Sequence, residues 1–204
     1  MTLTIPTALT LFRIILIPVM VVVFYSPLEN ARFWAAVIFT VGALTDWLDG
    51  WIARRFNMYS AFGAFLDPVA DKLAVAAALF IVVQAHPTIW LTLLSAVIVG
   101  REITISALRE WMAEIGARGA VAVAWVGKLK TIVQMVAIVA LLIGPSLWLG
   151  PHLPALPAQA LGEWLLALAA ALTLWSGADY RRAAWPSFAR VGRCTAAIRT
   201  TSIP

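Results

Sequence analysis

Charge is scarce in this chain. Of 204 residues only 12% are charged, against 62% hydrophobic, and the mean hydropathy is +0.91. A water-soluble domain of this length cannot hide so much apolar surface. Cysteine is almost absent. The single thiol, Cys194, excludes an internal disulfide and any cysteine-built metal cluster. Histidine is nearly as rare, and His86 and His152 fall in loops far from the acidic residues. No Ser-His-Asp arrangement and no glycine-rich phosphate loop is visible, so nothing points to a covalent intermediate. Apolar and polar residues do not alternate strictly, which removes the signature of a membrane β-barrel. The opening stretch through Tyr25-Ser26-Pro27 lacks a basic leader and a good cleavage site, so it reads as a retained span. There is no internal repeat and no low-complexity segment.

Long apolar runs are what the chain does have. They predict an all-α membrane protein with six transmembrane helices, at residues 8–26, 33–54, 62–85, 88–109, 126–149 and 160–180. Pro27, Pro87 and the stretch from Gly144 to Pro157 mark three turns on one side. With both termini cytoplasmic, the outer loops hold a single basic residue, Arg32, of the fifteen in the chain. The positive-inside rule favours that orientation. Trp34, Trp90, Trp148 and Trp164 then fall near outer ends, and Trp47, Trp51, Trp111, Trp125 and Trp175 near inner ends. Residues 1–182 read as one six-span catalytic domain and 183–204 as a basic cytoplasmic tail. Arg181, Arg182, Arg190, Arg193 and Arg199, with no acid among them, suit anionic lipid headgroups. Nothing suggests a nucleic-acid partner.

Against this apolar background stand Asp46, Asp49, Asp67 and Asp71. A carboxylate on a membrane helix costs roughly 2.5–3.5 kcal/mol on insertion scales. The first two are three residues apart and the second two four apart, so each pair shares a helix face. Both pairs sit towards the inner ends of their spans. Gly50 and Ala53 lie on the face of the first pair, and Gly63 one turn before Asp67. Hard oxygen ligands on rigid helices suit Mg²⁺ or Mn²⁺, and four carboxylates can hold two such ions for phosphoryl chemistry. Two other readings stay open on spacing alone. One is a structural cluster neutralised by Arg54, Arg55 and Lys72; the other is a cation or proton pathway.

The pattern Asp46-x2-Asp49-Gly50-x2-Ala53-Arg54-x8-Gly63-x3-Asp67-x3-Asp71 resembles the complete signature of the CDP-alcohol phosphatidyltransferases. The opening Ile5-Pro6-Thr7-Ala8-Leu9-Thr10-Leu11-Phe12-Arg13 is similar to that of the bacterial phosphatidylglycerophosphate synthase branch, departing at Thr7, where that branch often has Asn. The segments Arg101-Glu102-Ile103 to Arg109-Glu110, Gly127-Lys128-Leu129-Lys130-Thr131 with Gln134-Met135, and Trp175-Ser176-Gly177-Ala178-Asp179-Tyr180 also resemble it. Phosphatidylinositol phosphate and cardiolipin synthases share the aspartate signature. The resemblance implies a metal-dependent homodimer in the bacterial inner membrane, with its active site facing the cytoplasm. It implies transfer from CDP-diacylglycerol to glycerol 3-phosphate, with release of CMP. It further implies that Asp46, Asp49, Asp67 and Asp71 bind two ions and that Asp71 is also the base. Asp49, Gly50, Ala53, Arg54 and Gly63 would bind the donor.

A phosphorylated acceptor needs cations of its own. Arg101 and Arg109 share a face near the inner end of the fourth span, and Lys128 and Lys130 open the fifth from the same side. These four are the expected phosphate-binding set. Arg109 has Glu102 and Glu110 as alternative partners.

Overall fold

The computed structural model describes residues 5–56, 60–114, 125–144 and 158–175, and these are helical apart from short connections. Six helices follow in order: α1 (Ile5–Tyr25), α2 (Ala31–Phe56), α3 (Ala61–Ala85), α4 (Ile89–Glu114), α5 (Trp125–Ile143) and α6 (Ala158–Trp175). The expected tail 183–204, the loop containing Arg118, and residues His152 and Trp148 lie outside the described residues.

Among the described residues four helices, α1, α2, α4 and α6, are long and apolar enough to cross a membrane, and α5 is apolar from Leu129 to Ile143. α3 carries Asp67, Asp71 and Lys72 in its first half. The chain is a multi-pass membrane protein. Large apolar side chains point outward along every helix; Ile15, Val22, Leu44, Phe65, Phe80, Leu93, Ile132 and Trp164 are exposed, as lipid contact requires.

Helix ends differ from the sequence reading in two places. α4 runs to Glu114 rather than 109, because hydropathy falls where a helix leaves the bilayer, not where it stops. At 26 residues it is about 39 Å long, against a hydrocarbon core of about 30 Å. α5 ends at Ile143 rather than 149. Gly144 adopts φ +100° there, a left-handed conformation that closes a helix, and Pro145 follows it.

The apolar core occupies the half of the bundle away from the aspartates. Met20 of α1, Ala35 and Phe39 of α2, Leu79 and Val82 of α3, Leu91 and Ile98 of α4, Ile138 and Leu141 of α5, and Leu166 and Ala170 of α6 form one buried cluster. The many buried alanines let the helices approach closely, which is how membrane helices gain packing energy. α1 packs against α2 and α3, α5 against α2 and α3, and α4 against α3.

Arg32, near the start of α2, gathers the ends of α1, α3 and α5. Its guanidinium lies 5.7 Å from the Phe24 ring centre and 3.3 Å from His86 Nε2. A Cβ on Gly144 would come within 2.6 Å of its Nη1, the flexible end of that side chain; it is the positive φ that favours glycine there. Burial, reinforced by Arg32 and opposed by Glu163, pushes the His86 imidazole below the usual histidine range. His86 is therefore neutral at pH 7 and can accept from Arg32. This fits its sequence-based placement far from the acids.

Candidate functional site

The half of the bundle around the aspartates is polar, and α1 is at its centre. Thr7, Thr10 and Arg13 succeed one another at three-residue spacing on an otherwise apolar helix, and all three are buried. They face the acid-bearing stretches of α2 and α3.

Arg13 is 2% exposed and touches three of the four aspartates. Its Nη1 donates to Asp46 Oδ1 at 2.9 Å and to Asp71 Oδ1 at 2.5 Å. Its Nη2 donates to Asp49 Oδ2. The fourth, Asp67, accepts through Oδ1 from the Thr10 hydroxyl, which also lies 3.0 Å from the Pro6 carbonyl. The carboxylates of α2 and α3 therefore meet on two side chains of α1, one turn apart. Asp49 is buried, whereas the Asp46 and Asp71 side chains are nearly half exposed. Asp46 and Asp71 thus present the accessible edge of the cluster.

The small residues have distinct surroundings. Gly63 is buried at the start of α3, where Ser60 caps the helix by accepting from the Gly63 N–H at 2.9 Å. Ser60 Oγ and Thr7 Oγ1 are 2.8 Å apart. A Cβ on Gly63 would come within 2.9 Å of both oxygens. Gly50 is looser: its nearest neighbour is the flexible end of Arg54, at 3.4 Å from a Cβ built there. Ala53 is half-buried and Arg54 exposed, at the C-terminal end of the same helix.

The cations that sequence offered as neutralisers are elsewhere. The described ion pairs to the aspartates all come from Arg13. Arg55 is exposed, and Lys72 Nζ donates to the Ser106 hydroxyl of α4 at 2.5 Å. Lys130, expected to bind acceptor phosphate, is buried and donates to Glu102 Oε1 at 2.9 Å. Arg101 is half-buried on α4. The side chains of Arg109 and Lys128 lie outside the described residues.

Arg13 and Thr10 are functional-site residues that sequence reasoning missed. The signal was the polar stripe Thr7, Thr10, Arg13 on one face of an apolar span, which costs too much in a bilayer to be idle.

By its chemistry, though not by its arrangement here, the donor set is of the kind that binds small divalent cations. Four hard oxygen ligands from two rigid helices suit Mg²⁺ or Mn²⁺, and one guanidinium leaves most of their negative charge uncompensated. Among the described residues no three carboxylates converge on one point at ligand spacing. The guanidinium of Arg13 stands between three of them.

Comparison with known proteins covers nearly all the described residues. The family described as CDP-alcohol phosphatidyltransferase matches residues 3–175. A protein of Shigella flexneri serotype 5b (strain 8401) named CDP-diacylglycerol–glycerol-3-phosphate 3-phosphatidyltransferase is 53% identical over 180 residues, 88% of this chain and 94% of the relative. A protein of the same name from Escherichia coli (strain K12) shows the same identity and coverage.

Proposed function

The chain belongs to the CDP-alcohol phosphatidyltransferase family, and we propose that Asp46, Asp49, Asp67 and Asp71 are its catalytic cluster, holding two Mg²⁺ or Mn²⁺ ions. The reaction is transfer of the phosphatidyl group from CDP-diacylglycerol to sn-glycerol 3-phosphate, forming phosphatidylglycerophosphate and releasing CMP. The observation that carries the site assignment is the meeting of all four signature aspartates on Arg13 and Thr10. When bound, divalent cations would neutralise the pyrophosphate and the charge that develops as CMP leaves.

The residues divide the remaining work. Asp71, on the accessible edge, takes the proton from the acceptor hydroxyl. The acceptor oxygen then bonds to the phosphorus that carries diacylglycerol, and the pyrophosphate P–O bond breaks with its electron pair leaving on CMP. Gly50 and Ala53 leave room for the cytidine and ribose, and Asp49 and Arg54 complete the donor site; Gly63, expected from the sequence to border the donor, instead lets α3 pack against Thr7 and Ser60. Thr10 fixes the orientation of Asp67. Arg101, Arg109, Lys128 and Lys130 supply positive charge for the acceptor phosphate, Lys130 sharing its ammonium with Glu102.

In this reading the termini and the site face the cytoplasm from a bacterial inner membrane, where both substrates are made. The protein works as a homodimer, and its basic tail rests on anionic lipid. The test is CMP release from CDP-diacylglycerol with a panel of alcohols. Turnover with glycerol 3-phosphate, and none with glycerol or inositol, is the expected outcome. Equal turnover with an unphosphorylated alcohol would overturn the acceptor assignment.

A further inference from the structure

Arg13 places a fixed positive charge inside the carboxylate cluster assigned above to divalent cations. It contacts Asp46 and Asp71 through one nitrogen and Asp49 through the other. It is held there by burial, and a retreat along α1 is closed off. The neighbouring space is a half-open cleft with room for only about 20 Å³, little more than a single water needs. Its lining, Leu16, Ile17, Met20 and Phe39 among others, is apolar, so a guanidinium has no solvation there.

We propose that Arg13 is a resident counter-cation of the cluster, with two effects. It keeps the four acids assembled when no divalent ion is bound, and it lowers the cluster's affinity for such ions by competing for the same carboxylates. Both follow from charge. Without Arg13 the acids repel one another, which destabilises the ion-free protein. Also without it, an incoming cation meets neither a like charge a few ångströms away nor occupied ligands. Arg13 is thus a positioning residue that sets the ion affinity of the site. The inference rests on the proposed metal role of the aspartates.

The experiment compares wild type, Arg13→Met and Arg13→Lys, purified in detergent. Mn²⁺ binding is followed by electron paramagnetic resonance, and unfolding by circular dichroism in chelator and in Mn²⁺. Arg13→Met should bind Mn²⁺ about tenfold more tightly or better, since a unit charge beside the ligands has gone. It should unfold earlier than wild type in chelator and recover most of that loss in Mn²⁺. Arg13→Lys keeps the charge but not the fork, so its Mn²⁺ affinity should stay near wild type. Unchanged or weaker Mn²⁺ binding in folded Arg13→Met would overturn the proposal. Absence of Mn²⁺ binding in every variant would instead remove the metal reading beneath it. Should neither variant accumulate, wild type labelled with ¹⁵N-arginine serves. One guanidinium signal should be protected from exchange in chelator and shift on Mg²⁺ addition, and absence of that response would equally overturn the proposal.

Discussion

Replacing Gly63 by alanine separates crowding at the α1–α3 junction from crowding of the substrate. The new Cβ would lie 2.9 Å from both Ser60 Oγ and Thr7 Oγ1, closer than carbon and oxygen tolerate. Neither oxygen yields easily, because Ser60 caps α3 and the two hydroxyls bond each other. Forcing them apart costs about 1–3 kcal/mol by analogy with overpacked cores, and a lost cap adds about 1 kcal/mol. Alanine regains about 0.5–1 kcal/mol of helix propensity. The net expectation is a loss of about 2 kcal/mol. At Gly50 the same substitution meets only the end of Arg54 at 3.4 Å, which swings aside. Gly50→Ala should therefore unfold at or slightly above the wild-type midpoint, and Gly63→Ala clearly below it. Denaturant unfolding in detergent measures both. Thr7→Ala should recover at least about 0.5 kcal/mol in the Gly63→Ala background, since contacting residues couple. CMP-release kinetics give the second readout: Gly50→Ala should raise the KM for CDP-diacylglycerol without loss of stability. Equal midpoints for the two alanine variants would refute the steric argument. An unchanged donor KM in Gly50→Ala would remove that glycine from the nucleotide border.

Asp71→Asn should abolish turnover while CDP-diacylglycerol still binds, and near-normal kcat would take Asp71 out of the mechanism. Excess chelator should stop CMP release and Mg²⁺ or Mn²⁺ restore it; full activity in chelator would remove the metal. Lys130→Met or Glu102→Gln alone should each destabilise by about 1–3 kcal/mol because one buried partner is left unsatisfied, whereas the double variant should lose less than the sum, as a double-mutant cycle in unfolding experiments will read. His86 has a folded pKa below its ordinary 6.5, so the unfolded chain binds more protons as pH falls. Its contribution to stability is complete above about pH 6.5 and diminishes below it, a dependence that His86→Gln should remove from unfolding midpoints measured across pH 5–8. Cysteine at Ser26 should react with an impermeant reagent in intact cells and cysteine at Glu110 should not; the reverse would invert the orientation.

Much of this was legible because membranes make charge conspicuous. The spans stood out as apolar runs, and Asp46, Asp49, Asp67 and Asp71 stood out because each is costly where it lies. Their helical spacing gave the shared face. What sequence did not provide was the partner. Arg54, Arg55 and Lys72 are nearest in the chain, yet the counter-charge is Arg13, 33 residues before Asp46, because α1 packs against both acid-bearing helices. Proximity in sequence says nothing about which helix a span will meet. Lys130 was read for its charge alone. Its burial and its bond to Glu102 depend on how α4 and α5 face each other, which a single chain pattern does not specify. The end of α5 at Gly144 was signalled by Gly144-Pro145, but the apolar Leu147-Trp148-Leu149 beyond them carried the expected span to 149.

The position of Arg13 and Thr10 on the first helix also bears on the order of assembly during synthesis. The ribosome delivers α1 before α2 and α3, so the donors reach the bilayer ahead of every aspartate they serve. Asp46 and Asp49 then arrive beside a waiting cation, and Asp67 and Asp71 beside a cation and a hydroxyl. Each acidic span can thus shed part of its insertion cost by docking on what is already there, rather than waiting for the whole bundle. A chain permuted to begin at α2 would carry the same residues and the same final contacts. It would, however, have to insert four acids before their partner, and its yield in the membrane should fall even where the finished fold is as stable.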